Sequence, residues 1–166
     1  MTAWLLAVLI QSAQAQTITT VADYPTHYRV TSGYVNGSVV PIISEQRSIF
    51  PTTSHKLSRG FSGDHSGMDI DGNAGDAILA WQNGVVEEIS STGPYGNKII
   101  IRHDDATTSV YAHLETVTVQ LNEAVRAGSF IGTLGSTGRA TGSHLHFEIR
   151  LNDSTIDPLP YLASAR

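Results

Sequence analysis

Past Ser58 the chain breaks into short β-branched and aromatic runs, each closed by glycine, asparagine or aspartate, and that rhythm leaves little room for anything but an antiparallel sheet. The runs fall at residues 77–81, 85–90, 98–103, 108–114, 129–134 and 145–151. Asn83-Gly84 tolerates left-handed backbone and suits a tight hairpin turn between the first two. Asp104-Asp105-Ala106 joins the next pair, while Gly135-Ser136-Thr137-Gly138 and Thr141-Gly142 mark loops. No stretch has a long amphipathic helical period. The expected fold is all-β: an antiparallel sheet folded as a sandwich or half-barrel with an open groove, in a single domain, for which 166 residues bury an ordinary core.

Within the last run, GSHLHFEI at residues 142–149, strand alternation puts His144 and His146 on one face and Leu145 and Phe147 on the other. Two imidazoles on one face are either a solvated surface or part of a site. Upstream, HSGMD carries His65 and Asp69 four residues apart around Gly67, where the chain can turn and bring both side chains to one point. A hydrolytic zinc site takes three ligands from His, Asp or Glu at about 2.0–2.2 Å and keeps a fourth position open. His65, Asp69 and one of His144 and His146 supply such a set. The other histidine then lies beside the metal, where a neutral imidazole can take a proton or bond a developing oxyanion.

The first residues, MTAWLLAVLIQSAQA, join an apolar run at 3–10 to Ala13-Gln14-Ala15, the small-x-small pattern of a cleavable signal peptide. Residues 1–15 are read as that peptide, although no Lys or Arg precedes the run. A membrane span needs roughly 20 apolar residues, so the run is too short for one. Residues 16–57 form a polar, Thr/Ser-rich leader with one or two short strands. Its apolar stretch 39–43 favours an integral edge strand over a segment laid across a groove. Residues 58–162 form the main domain and 163–166 a short tail. With no cysteine, neither a disulfide framework nor a lipid-anchored N-terminal Cys is available. A net charge of −5 and the absence of any basic run argue against nucleic acid. The expected product is an exported or cell-envelope monomer, without stable membrane association once the signal is removed.

HSGMDI, YGNKIIIRH, YAHL, the spacing IGTLGSTGRATGSHLHFEIR and the terminal DPLPYL together resemble the lysostaphin/LytM-type zinc metallopeptidases over residues 58–162. The resemblance implies one Zn2+ per chain, with His65 and Asp69 as ligands from the first motif and His146, the last histidine of HxH, as the third. It implies catalytic roles for His113 of YAHL and for His144. The implied activity is that of an endopeptidase cutting peptide cross-links of bacterial cell-wall peptidoglycan. The chain departs from the family's usual pattern after the first motif, where Asp71-Gly72-Asn73-Ala74 stands in place of a proline and a small apolar residue. The short segment GFSGDHSG suggests a trimmed loop on one groove wall. A non-catalytic cell-wall binding or amidase-activating module of the same fold is the competing reading, and a metal-storage or sensing protein a more distant one. Loss of ligands would favour the module, and none is lost.

Other residues receive plainer expectations. Tyr111 shares strand parity with His113 and either faces the groove or packs inside. Glu148 shares parity with His146 and either orients it or lies on a solvated face, the latter being expected. His103 reads as a turn residue, and His27 and His55 as surface positions. Gly67, Gly96, Gly135 and Gly138 read as backbone devices near the site.

Overall fold

The structure is a computed structural model and describes residues 28–35, 38–45, 48–103 and 106–162. Among the residues at 28–45, side chains are described only for Ser38 and Val39. The signal-peptide reading of 1–15, His27, the Asp104-Asp105 turn and the 163–166 tail therefore lie outside the described residues.

Strands β1 (Tyr28–Val35) and β2 (Ser38–Glu45) pair antiparallel as a sheet of their own, separate from the strand order of the larger sheet. The larger sheet holds β3 (Lys56–Arg59), β4 (Met68–Asp71), β5 (Ala77–Leu79), β6 (Gly84–Ser90), β7 (Asn97–Arg102), β8 (Thr107–Val117), β9 (Ala124–Val125), β10 (Phe130–Leu134), β11 (His144–Leu151) and β12 (Ser154–Ile156). Its path runs β3-β4-β11-β8-β7-β6-β9, with β10 joined to β5 and β8, and β12 to β11. Every pairing is antiparallel, and β3 and β9 end the path without pairing to each other, so the sheet is open. The helical content of the described residues is the single turn α1 (Leu159–Leu162). The all-β, antiparallel expectation therefore holds. Residues just before Ser58 are also bonded into this body, through Ile49 N–H to Trp81 O, Leu79 N–H to Pro51 O, and strand β3 itself.

One expected hairpin is absent. β5 pairs with β10, while β6 pairs with β7 and β9, so Asn83-Gly84 does not close a turn between the runs at 77–81 and 85–90. Side-chain packing overrides the turn propensity here: Gly84 lies against Arg102 O and the Ile101 side chain, a close approach that leaves no room for a Cβ.

Alternation along β4 and β11 decides which residues enter the core. Met68, Ile70, Leu145, Phe147 and Ile149 join a cluster with Trp81, Ile99, Ile101 and Tyr111, all buried. Fully burying such side chains contributes about 1.5–3 kcal/mol each. The same alternation turns Asp69, Asp71, His144, His146 and Glu148 to the opposite face. His103, expected as a turn residue, is instead buried and bridges Asn83 O (2.9 Å) and Ser109 Oγ (2.7 Å). Ser109 Oγ is also hydrogen-bonded to the Tyr111 hydroxyl, which accepts from Trp81 N–H, so these buried polar groups satisfy one another. Tyr111 thus belongs to the core, and burial pushes its hydroxyl pKa well above the ordinary value. His55 is exposed, as expected, with its ring stacked on Phe50 at 4.2 Å.

Candidate metal centre

Register, which no spacing in the sequence displays, assembles the site. His146 on β11 stands directly opposite Asp69 on β4, and also pairs with Ala112 on β8. A reversed turn through Ser62 and His65, hydrogen-bonded backbone to backbone in both directions at 3.1 Å, brings the His65 ring over the same edge. Gly67 lets this turn lie against β11, because a Cβ there would overlap the Phe147 carbonyl. The donor atoms of His65, Asp69 and His146 converge within 4.8 Å of one another. Asp69 Oδ1 lies 2.8 Å from His146 Nδ1 and 3.1 Å from His65 Nε2, and the two nitrogens are 3.2 Å apart.

His113 reaches the same groove by breaking alternation. Its φ of 64° is left-handed, a costly conformation for an L residue, and the β7–β8 register shifts between Asn97 and Ile99, opposite this point. Tyr111 and His113, two apart on one strand, consequently face different ways: Tyr111 enters the core, while the His113 ring sits 4.8 Å from that of His144 and 5.9 Å from that of His146. His144 Nε2 is 3.8 Å from Asp69 Oδ1.

Each of the four imidazoles has one nitrogen occupied by an acceptor outside the cluster. Nδ1 of His65 donates to Gly60 O (2.8 Å), Nδ1 of His113 to Thr137 O (2.8 Å), and Nδ1 of His144 to Gly142 O (2.9 Å). Nε2 of His146 donates to Glu148 Oε1 at 3.0 Å. When a ring is neutral, these bonds select the tautomer in which the other nitrogen carries the lone pair. For His65 and His146 that nitrogen is the one facing Asp69. For His113 and His144 it is Nε2.

Glu148 corrects the expectation of a solvated position, since its side chain is 0% exposed. Besides His146, Oε1 accepts from Ser66 Oγ and from the Tyr95 hydroxyl, both at 2.6 Å. Oε2 accepts from Nε and Nη2 of Arg150 at 2.8 and 2.6 Å. Burial alone would raise the Glu148 carboxyl, but the hydrogen bonds of His146, Ser66, Tyr95 and Arg150 outweigh it and hold the pKa at about 2. The Ser66, Tyr95 and Arg150 roles escaped sequence reasoning. Tyr95 stood in the quoted YGNKIIIRH motif, but nothing there shows that its hydroxyl meets a carboxylate 53 residues away.

The electrostatics follow from these contacts. Burial pushes His146 down, yet the hydrogen bonds of Asp69 and Glu148 more than reverse it and raise its pKa to about 9. Asp69 is pushed up by burial and brought below the ordinary carboxylate value by the His146 hydrogen bond and the neighbouring histidines. Burial lowers His113, so its ring is neutral near pH 7. The donor set fits zinc: two imidazole nitrogens and one carboxylate oxygen converge, each imidazole pre-oriented by a bond at its far nitrogen.

The loop that orients His113 is itself locked. Thr137 Oγ1 accepts from Asn97 N–H and donates to Leu114 O. Gly96 and Gly138 are left-handed, with φ of 61° and 72°, and face each other so closely that a Cβ on either would overlap the other's backbone. The structure thus accounts for Gly67, Gly96 and Gly138 as backbone devices. Gly135 packs likewise on the Glu115 backbone.

The sequence pattern of Peptidase family M23 matches residues 63–158. The chain is 45% identical over 101 residues to the murein hydrolase activator NlpD of Escherichia coli, a match covering 60% of this chain and 26% of that protein. It is 40% identical over 95 residues to the DD-carboxypeptidase/endopeptidase Mpg of Neisseria meningitidis, covering 57% of this chain and 22% of that one. The chain thus spans about a quarter of the length of these curated relatives. Among solved structures, the antimicrobial peptidase lysostaphin of Staphylococcus simulans superposes with a TM-score of 0.62 at 33% identity, over 66% of this chain and 50% of that one.

Proposed function

This chain belongs to Peptidase family M23, and we propose that it is a zinc-dependent endopeptidase hydrolysing peptide cross-links of bacterial cell-wall peptidoglycan. The observation that carries this reading is the division among the histidines. Two converge with Asp69 on one point, and two stand beside that point with Nδ1 occupied. A structural cluster or a storage site has no use for the second pair.

His65, Asp69 and His146 would hold the ion. Zinc held there supplies a Lewis acid for the scissile carbonyl and lowers the pKa of water toward neutrality. His113 and His144, each with Nδ1 held by a backbone carbonyl and Nε2 turned to the groove, would take a proton from the attacking water and return it to the leaving amine. Protonated in turn, their N–H groups stabilise the negative charge that develops on the carbonyl oxygen. Glu148 keeps His146 in the tautomer that presents Nδ1 to the ion.

The export reading belongs to this proposal as well: substrate cross-links lie outside the cytoplasm, and residues 1–15 have the pattern of a removable signal. Among the described residues, no helix is long and apolar enough to cross a membrane. A second reading, a module that activates another wall hydrolase, draws support from the 45% identity to NlpD. Metal analysis combined with turnover separates the roles. His65→Ala, Asp69→Ala and His146→Ala should lose zinc. His113→Ala and His144→Ala should keep it while turnover falls by about 10²–10⁴-fold. Native turnover in either of the last two would remove that residue from the chemistry.

A further inference from the structure

Two clefts meet at the centre, one of about 430 Å³ on the side of Tyr95 and His113, the other of about 560 Å³ on the side of Asp71 and Ser143. Three cationic side chains line them: Lys56, Arg59 and Arg139. Lys56 is paired with Asp71 and Arg59 with Asp64, each at 3.0 Å. Arg139 is different, because its guanidinium makes no ion pair or side-chain hydrogen bond among the described residues. Its backbone is nevertheless fixed. The Arg139 N–H donates to Pro94 O at 2.8 Å, and the preceding Gly138 is wedged against Gly96. The loop that bonds His113 through Thr137 O therefore also holds Arg139 at the rim of the catalytic cleft.

An exposed, unpaired guanidinium on a backbone held at the rim of a substrate cleft is a fork for a carboxylate, which it can bind through two parallel hydrogen bonds. The surrounding charge makes this selective. The chain as a whole carries −5, so nothing general draws an anion to it, and at physiological salt charges farther away than about 8 Å are largely screened. An acidic ligand must be read locally.

We propose that Arg139 is a specificity-determining residue that binds a free carboxylate on the residue following the scissile bond. This deepens, and rests on, the peptidase reading of the centre. The substrate class becomes a cross-link whose leaving amine sits on a carboxylate-bearing carbon, such as D-alanine joined to a diamino acid, in preference to a glycine bridge, which has no charge near the cut.

The test uses two synthetic peptides in which D-alanine acylates the amine of diaminopimelic acid. They are identical except that the carboxyl beside that amine is free in one and a carboxamide in the other. Cleavage and binding of both are measured with zinc-loaded wild type, Arg139→Gln and Arg139→Lys. Wild type should favour the free acid by roughly 10- to 100-fold in kcat/KM, the range of a charge-assisted hydrogen-bond pair. Arg139→Gln should bring that ratio toward one with zinc content retained, and Arg139→Lys should restore part of it. Equal cleavage of the two peptides by wild type, or a preference that survives in Arg139→Gln, would overturn the assignment. If neither peptide is cut, binding decides. Tighter binding of the acid that disappears in Arg139→Gln would uphold the carboxylate site while removing the peptidase reading. Equal binding would remove both.

Discussion

Replacing Glu148 with glutamine measures how far the centre depends on a carboxylate that is wholly enclosed. Three donors converge on Oε1, from Ser66, Tyr95 and His146, and two on Oε2, both from Arg150. Glutamine keeps the shape but offers one oxygen and one NH2 group, so in either flip one set of donors faces another donor. The less costly flip keeps the oxygen toward His146 and orphans the two Arg150 donors, at about 1–3 kcal/mol each. The Arg150 side chain is 27% exposed and can turn partly to water, which favours the lower end and a total of about 2–3 kcal/mol. In a domain of this size that lowers Tm by about 4–12 °C. Zinc affinity should fall about 10- to 100-fold, because His146 loses its charged partner. The pH dependence has a definite sign. With a folded-state value near 2 against an ordinary 4.5, the stabilisation by Glu148 is complete above pH 4.5 and lost as the pH falls toward 2. Thermal melts of the zinc-free proteins at pH 7 and pH 3, with chelator competition for zinc at pH 7, read all three effects. A Glu148→Gln protein with native Tm and native zinc affinity at pH 7 would refute the reasoning.

His146 makes zinc affinity pH-dependent. In the zinc-free protein it holds a proton up to about pH 9, so binding at pH 7 should release one proton, and affinity should rise by up to about tenfold per unit until the pH reaches that value. Calorimetry in buffers of different ionisation heat counts the proton, and a count of zero would contradict the Asp69–His146–Glu148 arrangement. The same raised value means that the contribution of protonated His146 to zinc-free stability is full below pH 6.5 and lost as the pH rises through 9. The left-handed backbone at His113 predicts that His113→Gly is more stable to urea than His113→Ala by about 1 kcal/mol, although both lose the catalytic imidazole. The opposite order would mean that the bulge carries no strain.

Much of the centre was legible because its chemistry is written in residue types at short range. HxGxD and HxH each place their side chains by local rules, a turn around glycine and a strand with period two, and the structure brings these four residues, with His113 of YAHL, to one groove. What spacing could not show is long-range. The hairpin expected at Asn83-Gly84 failed because close packing of Gly84 against Ile101 and Arg102 decided its environment, and β5 found its partner in the distant β10. Parity alone could not place Tyr111 and His113, since the left-handed backbone of His113 itself resets the alternation. Glu148 was read as solvated because acidic residues on a strand usually are. Its burial depends on Ser66, Tyr95 and Arg150 converging from separate segments, a closure that no local pattern announces.

The central claim is that this chain itself cuts the wall, and it is tested most directly by incubating purified peptidoglycan with the zinc-loaded protein alone and weighing the soluble fragments by mass spectrometry. The account predicts that cross-linked dimers are converted to monomers with a new free carboxyl and a new free amine, and that His144→Ala, with zinc bound, leaves the dimers intact. Dimers that persist with the wild-type protein, and fragments that form only when an amidase is added, would contradict it and make the chain an activator.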